Sequence, residues 1–326
     1  MTPSRALITG GAGGIGLHVA RVLLADGHDV TVVDDFSTGA WDEDFTQLVD
    51  THGIGVHEAD LTEADVRKLA AGAPQVVFHL AARVGVERTM EDPVGVLYDN
   101  VAMTVRALEV ARLAGARRFV FASSSEVYAG ALAAGTLPIP TPETAELVVP
   151  SLEDARAAYM LSKLCGESMT RQGGVPWTIL RYHNVYGPRM GHKHVVPELT
   201  ERALEAPIGG RLQVRSAIHR RTFCFVDDAA EFTVRAAIQG DCEHQVLNVG
   251  AAAPEITMRE LAERIAGTVG KDLEVAEGPV DPTSPTRRRP DMTRAHRLTG
   301  HRAAVSLDEG LALTVDWYRR HHFSDA

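Results

Sequence analysis

One segment, Gly10-Gly11-Ala12-Gly13-Gly14-Ile15-Gly16, constrains the fold of this chain more than any other. It follows a short apolar run, Arg5–Thr9 (RALIT), and opens a stretch with Ile15, Val19, Val22 and Leu23 at three- and four-residue spacing, the period of an amphipathic helix. A β-branched run, Asp29–Val33 (DVTVV), comes next and ends in Asp34-Asp35. Strand, glycine turn, helix and strand make one βαβ unit, the context in which G-x-x-G-x-x-G spacing carries meaning. Glycines at 10, 13 and 16, with Gly14 and Ile15 between them, let backbone N–H groups and the positive end of a helix approach a pyrophosphate that side chains would hold off.

Asp34 stands where a carboxylate accepts hydrogen bonds from an adenosine ribose. A 2′-phosphate there would be repelled, so the expected dinucleotide is NAD and not NADP. Asp35 is either a further cofactor contact or only a solvated loop acid. Asp60, after the third strand, either accepts from the adenine amino group or caps a helix.

Further strands are predicted at Gly55–Ala59, Gln75–Leu80, Arg118–Ala122 and Thr178–Arg181, with helical patterns around 63–71, 94–114 and 154–171. This alternation predicts an α/β fold, a Rossmann-type doubly wound parallel sheet with a smaller C-terminal substrate-binding lobe. Residues 1–179 are expected to form the dinucleotide domain, with the chain returning to it around 217–250, and residues 180–326 mainly the lobe. Gly187-Pro188, Pro197, Pro207, Gly209-Gly210 and a Pro-rich stretch from Gly278 to Pro290 interrupt that second part. Thr257-Met-Arg-Glu260 and Ser306-Leu-Asp-Glu309 match the capping box and mark two helix starts.

Composition excludes several classes. With 33 Lys plus Arg against 43 Asp plus Glu, a net charge of −10, the chain does not suit a nucleic-acid binder that works by neutralising phosphates. No apolar run approaches the ~20 residues that cross a bilayer, and Met1-Thr2-Pro3-Ser4-Arg5 leads straight into a strand, so neither a membrane partner nor a signal peptide is expected. Cys165, Cys224 and Cys242 are too scattered for a disulfide framework or zinc site and suit reduced thiols in a cytoplasmic protein. His192, Lys193 and His194, like His321-His322, have no carboxylate or cysteine at ligand spacing. No metal is expected; His192, Lys193 and His194 line the sugar or nucleotide cleft or face water.

The fifth strand leads into Ser123-Ser124-Ser125-Glu126-Val127-Tyr128, and Tyr159-Met-Leu-Ser-Lys163 follows on a helix. Tyr and Lys at i and i+4 share one face. The ammonium, with a positive nicotinamide nearby, is expected to lower the Tyr pKa from about 10. Such a Tyr takes a proton from a hydroxyl as its carbon gives up hydride.

Together these residues resemble the extended short-chain dehydrogenase/reductase family, in the branch that acts on nucleotide-diphosphate sugars. The resemblance covers nearly the whole chain and includes His79-Leu80-Ala81-Ala82, Asn100, Arg181-Tyr-His-Asn184-Val-Tyr-Gly-Pro-Arg189, Arg221-Thr-Phe-Cys-Phe-Val-Asp227-Asp228, Leu247-Asn-Val-Gly250 and Arg287-Arg-Arg-Pro-Asp291. It implies an NAD wall that includes Leu61, Leu80, Ala81, Ala82 and Asn100. It makes Ser124 the group that hydrogen-bonds the reacting oxygen, Tyr159 the base and Lys163 the holder of the nicotinamide ribose. Arg83, Ser125, Asn184, Arg189, Arg221 and Arg288 are the implied substrate contacts, although Arg287–Arg289 also reads as a solvated basic run. A homodimer through the helices around 94–114 and 154–171 is implied as well.

The reaction subtype stays open at this level. Within the branch, oxidation at C4 leads to 4-epimerisation, to 4,6-dehydration or to decarboxylation of a uronate. Ser124-Ser125-Glu126 lacks the Asp of the dTDP-glucose dehydratase pattern but keeps Glu126, which suits chemistry at C5. The loop Ala82-Arg-Val-Gly85-Val-Glu-Arg88 resembles that of 4-epimerases, while the Arg287–Asp291 segment is decarboxylase-like. The expected function is an NAD-dependent 4-epimerase in which Glu126 orients a hydroxyl or assists as acid or base. Dehydratase or decarboxylase is the alternative, and a non-catalytic NAD-binding protein a remote one.

Overall fold

A computed structural model describes residues 4–192, 194–281 and 284–322. Lys193, and the expectations that touch Met1–Pro3 and Pro282-Thr283, lie outside the described residues. The first half runs β1 (Arg5–Thr9), α1 (Gly14–Ala25), β2 (Asp29–Asp34), α2 (Glu43–His52), β3 (Gly55–Glu58), α3 (Val66–Ala71), β4 (Val76–His79), α4 (Val86–Glu91), α5 (Pro93–Leu113), β5 (Arg118–Ser124), α6 (Ala129–Ala133), α7 (Ala157–Gln172) and β6 (Trp177–Tyr182). The second half continues with β7 (Val185–Tyr186), α8 (Val195–Glu205), β8 (Arg211–Val214), β9 (Arg220–Arg221), β10 (Cys224–Phe225), α9 (Val226–Ile238), β11 (Gln245–Val249), β12 (Ile256–Thr257), α10 (Met258–Val269), β13 (Glu274–Glu277), β14 (Arg287–Arg288), α11 (Thr293–Thr299) and α12 (Leu307–His321).

Seven strands form one sheet in the order β11-β6-β5-β4-β1-β2-β3. Every pairing in it is parallel. Because both faces are covered, the strands are nearly continuous apolar runs. Ile8, Val32, Phe78 and Val120 face the side packed by α1 and α9, and Leu7, Val33, Val77, Phe119 and Phe121 face the other, against α5. The chain rejoins the sheet through β11 and α9 after starting the second lobe. That lobe has its own core, in which Val196, Leu199, Leu212, Leu261, Ile265, Leu311 and Val315 are buried.

Local chemistry sets the helix ends. Thr257 and Glu260 form the complete reciprocal capping box, and Ser306 Oγ accepts from Glu309 N at 3.3 Å, the forward half of one. Asp42 Oδ1 accepts from Phe45 N at 3.0 Å to start α2, a helix whose buried residues are Phe45 and Leu48. The helix expected from 154 begins at Ala157, after a turn. At the centre of α7, a Cβ on Gly166 would sit 2.1 Å from Phe121 Cζ. Glycine there lets α7 lie close on β5.

The glycine turn leaves no room for side chains at two of its positions. Gly10 has φ +72°, and a Cβ on Gly16 would meet the Gly10 carbonyl oxygen at 2.1 Å. Gly16→Ala is therefore expected to lower unfolding free energy by roughly 3 kcal/mol, the upper end for overpacking. Urea denaturation should show a lower midpoint with an unchanged slope.

Candidate active site

The carboxyl ends of the strands open into a cavity of about 320 Å³. Its wall includes Gly10, Gly13, Gly14, Ile15 and Gly16, then Asp34, Asp35 and Leu61, then Leu80, Ala81, Ala82 and Arg83, and finally Ser124, Tyr159, Lys163 and Arg189. The glycine turn fits a dinucleotide. A Cβ on Gly10 would stand 2.7 Å from Ala81 N and one on Gly16 2.1 Å from the Gly10 carbonyl oxygen, so the turn stays bare at both, and α1 points its N-terminus into the same cavity.

Asp34 accepts from Ala12 N and from Phe36 N, both at 2.9 Å. Burial raises its pKa despite those two donors. Asp35 is held low: burial works against ionisation, but Ser37 donates twice, and Arg83 lies 3.0 Å away. Asp60 accepts from Thr62 N at 2.8 Å, an Asx-type turn, and from Arg83 at 3.2 Å. Arg83, expected beside the substrate, instead sits at this carboxylate end, with Asp99 at 3.3 Å as a third partner. Asn100 takes no part in the wall. Its Oδ1 accepts from Arg83 N at 2.6 Å, and its Nδ2 donates to Arg83 O and Ser162 Oγ, both at 3.1 Å.

At the other end Ser124, Tyr159 and Lys163 meet. Ser124 and Tyr159 both line the cavity, and Ser124 Oγ accepts from Glu126 N at 3.2 Å. Lys163 Nζ donates to the Ala122 carbonyl at 2.8 Å and lies 5.7 Å from the Tyr159 ring centroid. The expected lowering of the Tyr159 pKa is not what the protein alone produces. Burial pushes the phenol up, and Ser124 offsets only part of it. Burial also pushes Lys163 down to about 8. Both shifts have one physical origin, the cost of a charge in a dry wall.

Glu126 faces the second lobe. Arg288 Nη1 donates to its Oε1 at 2.8 Å and reaches Ser125 Oγ at 3.4 Å. This guanidinium holds the carboxyl below its usual range against burial, with Arg156 and Arg221 adding to the effect. Arg221 and Arg288 are partners across the parallel pair β9–β14. Burial beside Arg288 pushes Arg221 down to about 10. Arg221 also donates to Arg220 O at 2.8 Å and Ser284 Oγ at 3.2 Å. Asn184, with φ +40°, donates from Nδ2 to Thr222 O at 3.1 Å. Arg189 points away from this end, onto the glycine turn. His194 lines the cavity, while His192 packs 4.4 Å from the His322 ring. Among the described residues no group of three or more His, Cys, Asp or Glu is placed to hold a metal ion. None of their helices is long and apolar enough to cross a membrane.

Behind these groups lies a buried network that the sequence reading missed. Arg181 makes two 2.8 Å bonds to Glu167 and one of 2.9 Å to Tyr128 Oη. Ser123 Oγ donates to Glu167 Oε1 at 2.7 Å. Tyr128 Oη donates to Asn248 Oδ1 at 3.1 Å, and Asn248 Nδ2 donates to Thr141 O at 2.9 Å. One signal was available: Glu167 continues the i, i+4 row of Tyr159 and Lys163.

Residues 6–250 match the NAD dependent epimerase/dehydratase family. The chain belongs to that family. Among its relatives, a UDP-N-acetyl-alpha-D-glucosaminuronate decarboxylase of Bacillus cytotoxicus is 31% identical, with 97% of this chain and 98% of that protein aligned. A UDP-glucose 4-epimerase of Mycolicibacterium smegmatis is 35% identical over the same shares, 97% and 98%. In three dimensions the fold matches the Thermotoga maritima UDP-glucose 4-epimerase, determined with UDP-glucose, at a TM-score of 0.81 and 29% identity, covering 97% of this chain and 99% of the other. NAD is thus the cofactor of this epimerase/dehydratase family member, and the glycine turn with Asp34 fits it.

The Glu126–Arg288 pair gives a pH signature. A carboxyl whose pKa is depressed in the fold contributes stability above the ordinary value of 4.5 and loses it as pH falls through the folded value. The melting-temperature gap between the parent and Glu126→Gln should therefore narrow on acidification from pH 7 toward about pH 4. A gap that widens would contradict the assignment.

Proposed function

We propose that this family member is a nucleotide-sugar 4-epimerase. The observation that carries the reading is the convergence of Ser124 and Tyr159 on one cavity wall, with Lys163 one helical turn along. Bound NAD supplies an acceptor and later a donor of hydride. Tyr159 Oη takes the proton of the C4 hydroxyl while Ser124 Oγ holds the same oxygen. The resulting ketone turns within the pocket and is reduced on its opposite face, with Tyr159 returning the proton. Arg221 and Arg288 take the diphosphate, since guanidinium forks match phosphate oxygens. Asn184 and Ser125 line the sugar. Arg83 and Asn100 serve the adenosine end, Arg83 by holding Asp35 and Asp60, and Asn100 by fixing the backbone at Arg83.

Support for epimerisation comes from the 82–88 loop and from the M. smegmatis relative. Glu126 also supports it, because its Oε1 already accepts from Arg288 and so acts as a fixed, ionised hydroxyl acceptor. A second reading rests on that same carboxylate. An ionised Glu126 beside Tyr159 is the group that chemistry at C5, in a dehydratase or uronate decarboxylase, would use. The reading includes two copies paired along α5 and α7, supported by the exposure of Val94, Tyr98 and Val105 on α5.

Proton NMR of the NAD-loaded protein in D₂O with UDP-, GDP-, dTDP- and CDP-sugars, including UDP-glucuronate, tests the proposal. A C4-inverted product without deuterium at C5 is expected. A pentose or a 4-keto-6-deoxy sugar would overturn it. Tyr159→Phe should lose at least about 10²-fold in turnover, the range for a general acid–base, while keeping its NAD. Glu126→Gln should retain most of the epimerase rate.

A further inference from the structure

Arg189 was expected to touch substrate, yet its guanidinium is spent elsewhere. Nε donates to Asp42 Oδ2 at 2.7 Å, Nη1 to the Ala12 carbonyl at 3.0 Å and Nη2 to the Ala40 carbonyl at 2.9 Å. Its side chain is 3% exposed. Its backbone has φ +63°, a region that non-glycine residues adopt at a cost and that persists where the surroundings over-determine it. Here three charge-assisted bonds do so.

The segment this arginine belongs to, Gly187–Gly191, lines the cavity as a roof on the glycine turn. It lies directly on the dinucleotide turn: a Cβ on Gly14 would stand 3.0 Å from the Arg189 carbonyl oxygen. The C-terminal helix grips the same segment, since Tyr318 Oη donates to the Met190 carbonyl. One residue earlier, Trp317 Nε1 donates to Asp44 Oδ2 at 2.7 Å, and Arg21 holds the other oxygen of Asp44 at 2.7 Å. Asp42 and Asp44 both belong to the start of α2. The contacts therefore close a ring: roof residues 189 and 190, Asp42, Asp44, α12, and back to Met190.

We propose that Arg189, Asp42 and the Trp317–Tyr318 turn of α12 form a clasp that retains the dinucleotide. The roof cannot lift from the glycine turn until the Arg189–Asp42 bond breaks, and α12 must release α2 and Met190 for the roof to swing clear. The clasp makes the dinucleotide a resident group, as hydride borrowed and returned in one turnover requires. The inference rests on the cavity being the NAD site, not on the reaction assigned to it.

The test is the rate of NAD release from the full-length, NAD-loaded protein without sugar. Alcohol dehydrogenase and ethanol capture released NAD as an absorbance rise at 340 nm. Asp42→Asn removes the charge but keeps a residue that caps α2. Trp317→Phe keeps the ring and removes the donor to Asp44. Each should release NAD about tenfold faster than the parent, the effect of losing one charge-assisted bond. Arg211→Ala, in an exposed pair with Glu274 in the second lobe, should match the parent. Release from both variants within about twofold of the parent, or equal release from all four proteins, would overturn the clasp. If Asp42→Asn does not fold, Trp317→Phe decides alone. No sugar takes part, so failure of the epimerase reading leaves this result unaffected.

Discussion

The geometry of the site depends on the pair Arg181–Glu167. Two 2.8 Å bonds join a strand residue and a helix residue whose side chains are only 2% and 4% exposed. Breaking such a buried pair by removing one partner costs about 3–5 kcal/mol, so α7 cannot slide on β5 and β6. Tyr159 and Lys163 stand on the same row of α7, two turns and one turn before Glu167. The pair thus fixes where the phenol meets Ser124. The same Glu167 accepts from Ser123, the neighbour of Ser124 on β5. Arg181 reaches on to Tyr128, at the end of the turn that carries Glu126. Both sides of the proposed reacting centre hang from one ion pair.

Electrostatics explains why that scaffold is needed. Burial drives the Tyr159 phenol up and the Lys163 ammonium down, so the protein alone holds both groups toward their neutral forms. In the role of base proposed for it, such a phenol works only when further positive charge comes close and the hydroxyls are already aligned. Glu126 is treated oppositely, kept ionised by Arg288 from the second lobe. One wall of the pocket thus holds a neutral phenol beside a weakened ammonium, and the other holds a fixed charge pair.

Much of the fold was legible in the sequence because a parallel sheet covered on both faces writes itself as apolar, β-branched runs. RALIT, DVTVV and QVVFHL mark β1, β2 and β4 to within a residue or two. The helix α2 was not legible, since only Phe45 and Leu48 are buried in it, too few to set a period. In the site, the residues carried by local spacing were readable: the glycine turn, and Tyr159 with Lys163 on one helix face. Arg83 and Arg189 were not. Their destinations depend on carboxylates and carbonyls far away in the chain, at Asp35, Asp60 and Asp99 for one and Asp42, Ala12 and Ala40 for the other. A motif shows that an arginine is present, and only the fold shows which acid claims it. Glu167 and Arg181 lie between these cases, one visible as a helical repeat and the other only as part of a strand.

The proposed epimerisation requires hydride to leave C4 of a nucleotide sugar and return to C4 of the same molecule. The direct measurement is turnover of a substrate carrying deuterium at C4, with the product followed by NMR and mass spectrometry. An inverted sugar that keeps the full deuterium label at C4, with none in the solvent, is expected. Label appearing at C6, or lost from the product, would contradict it.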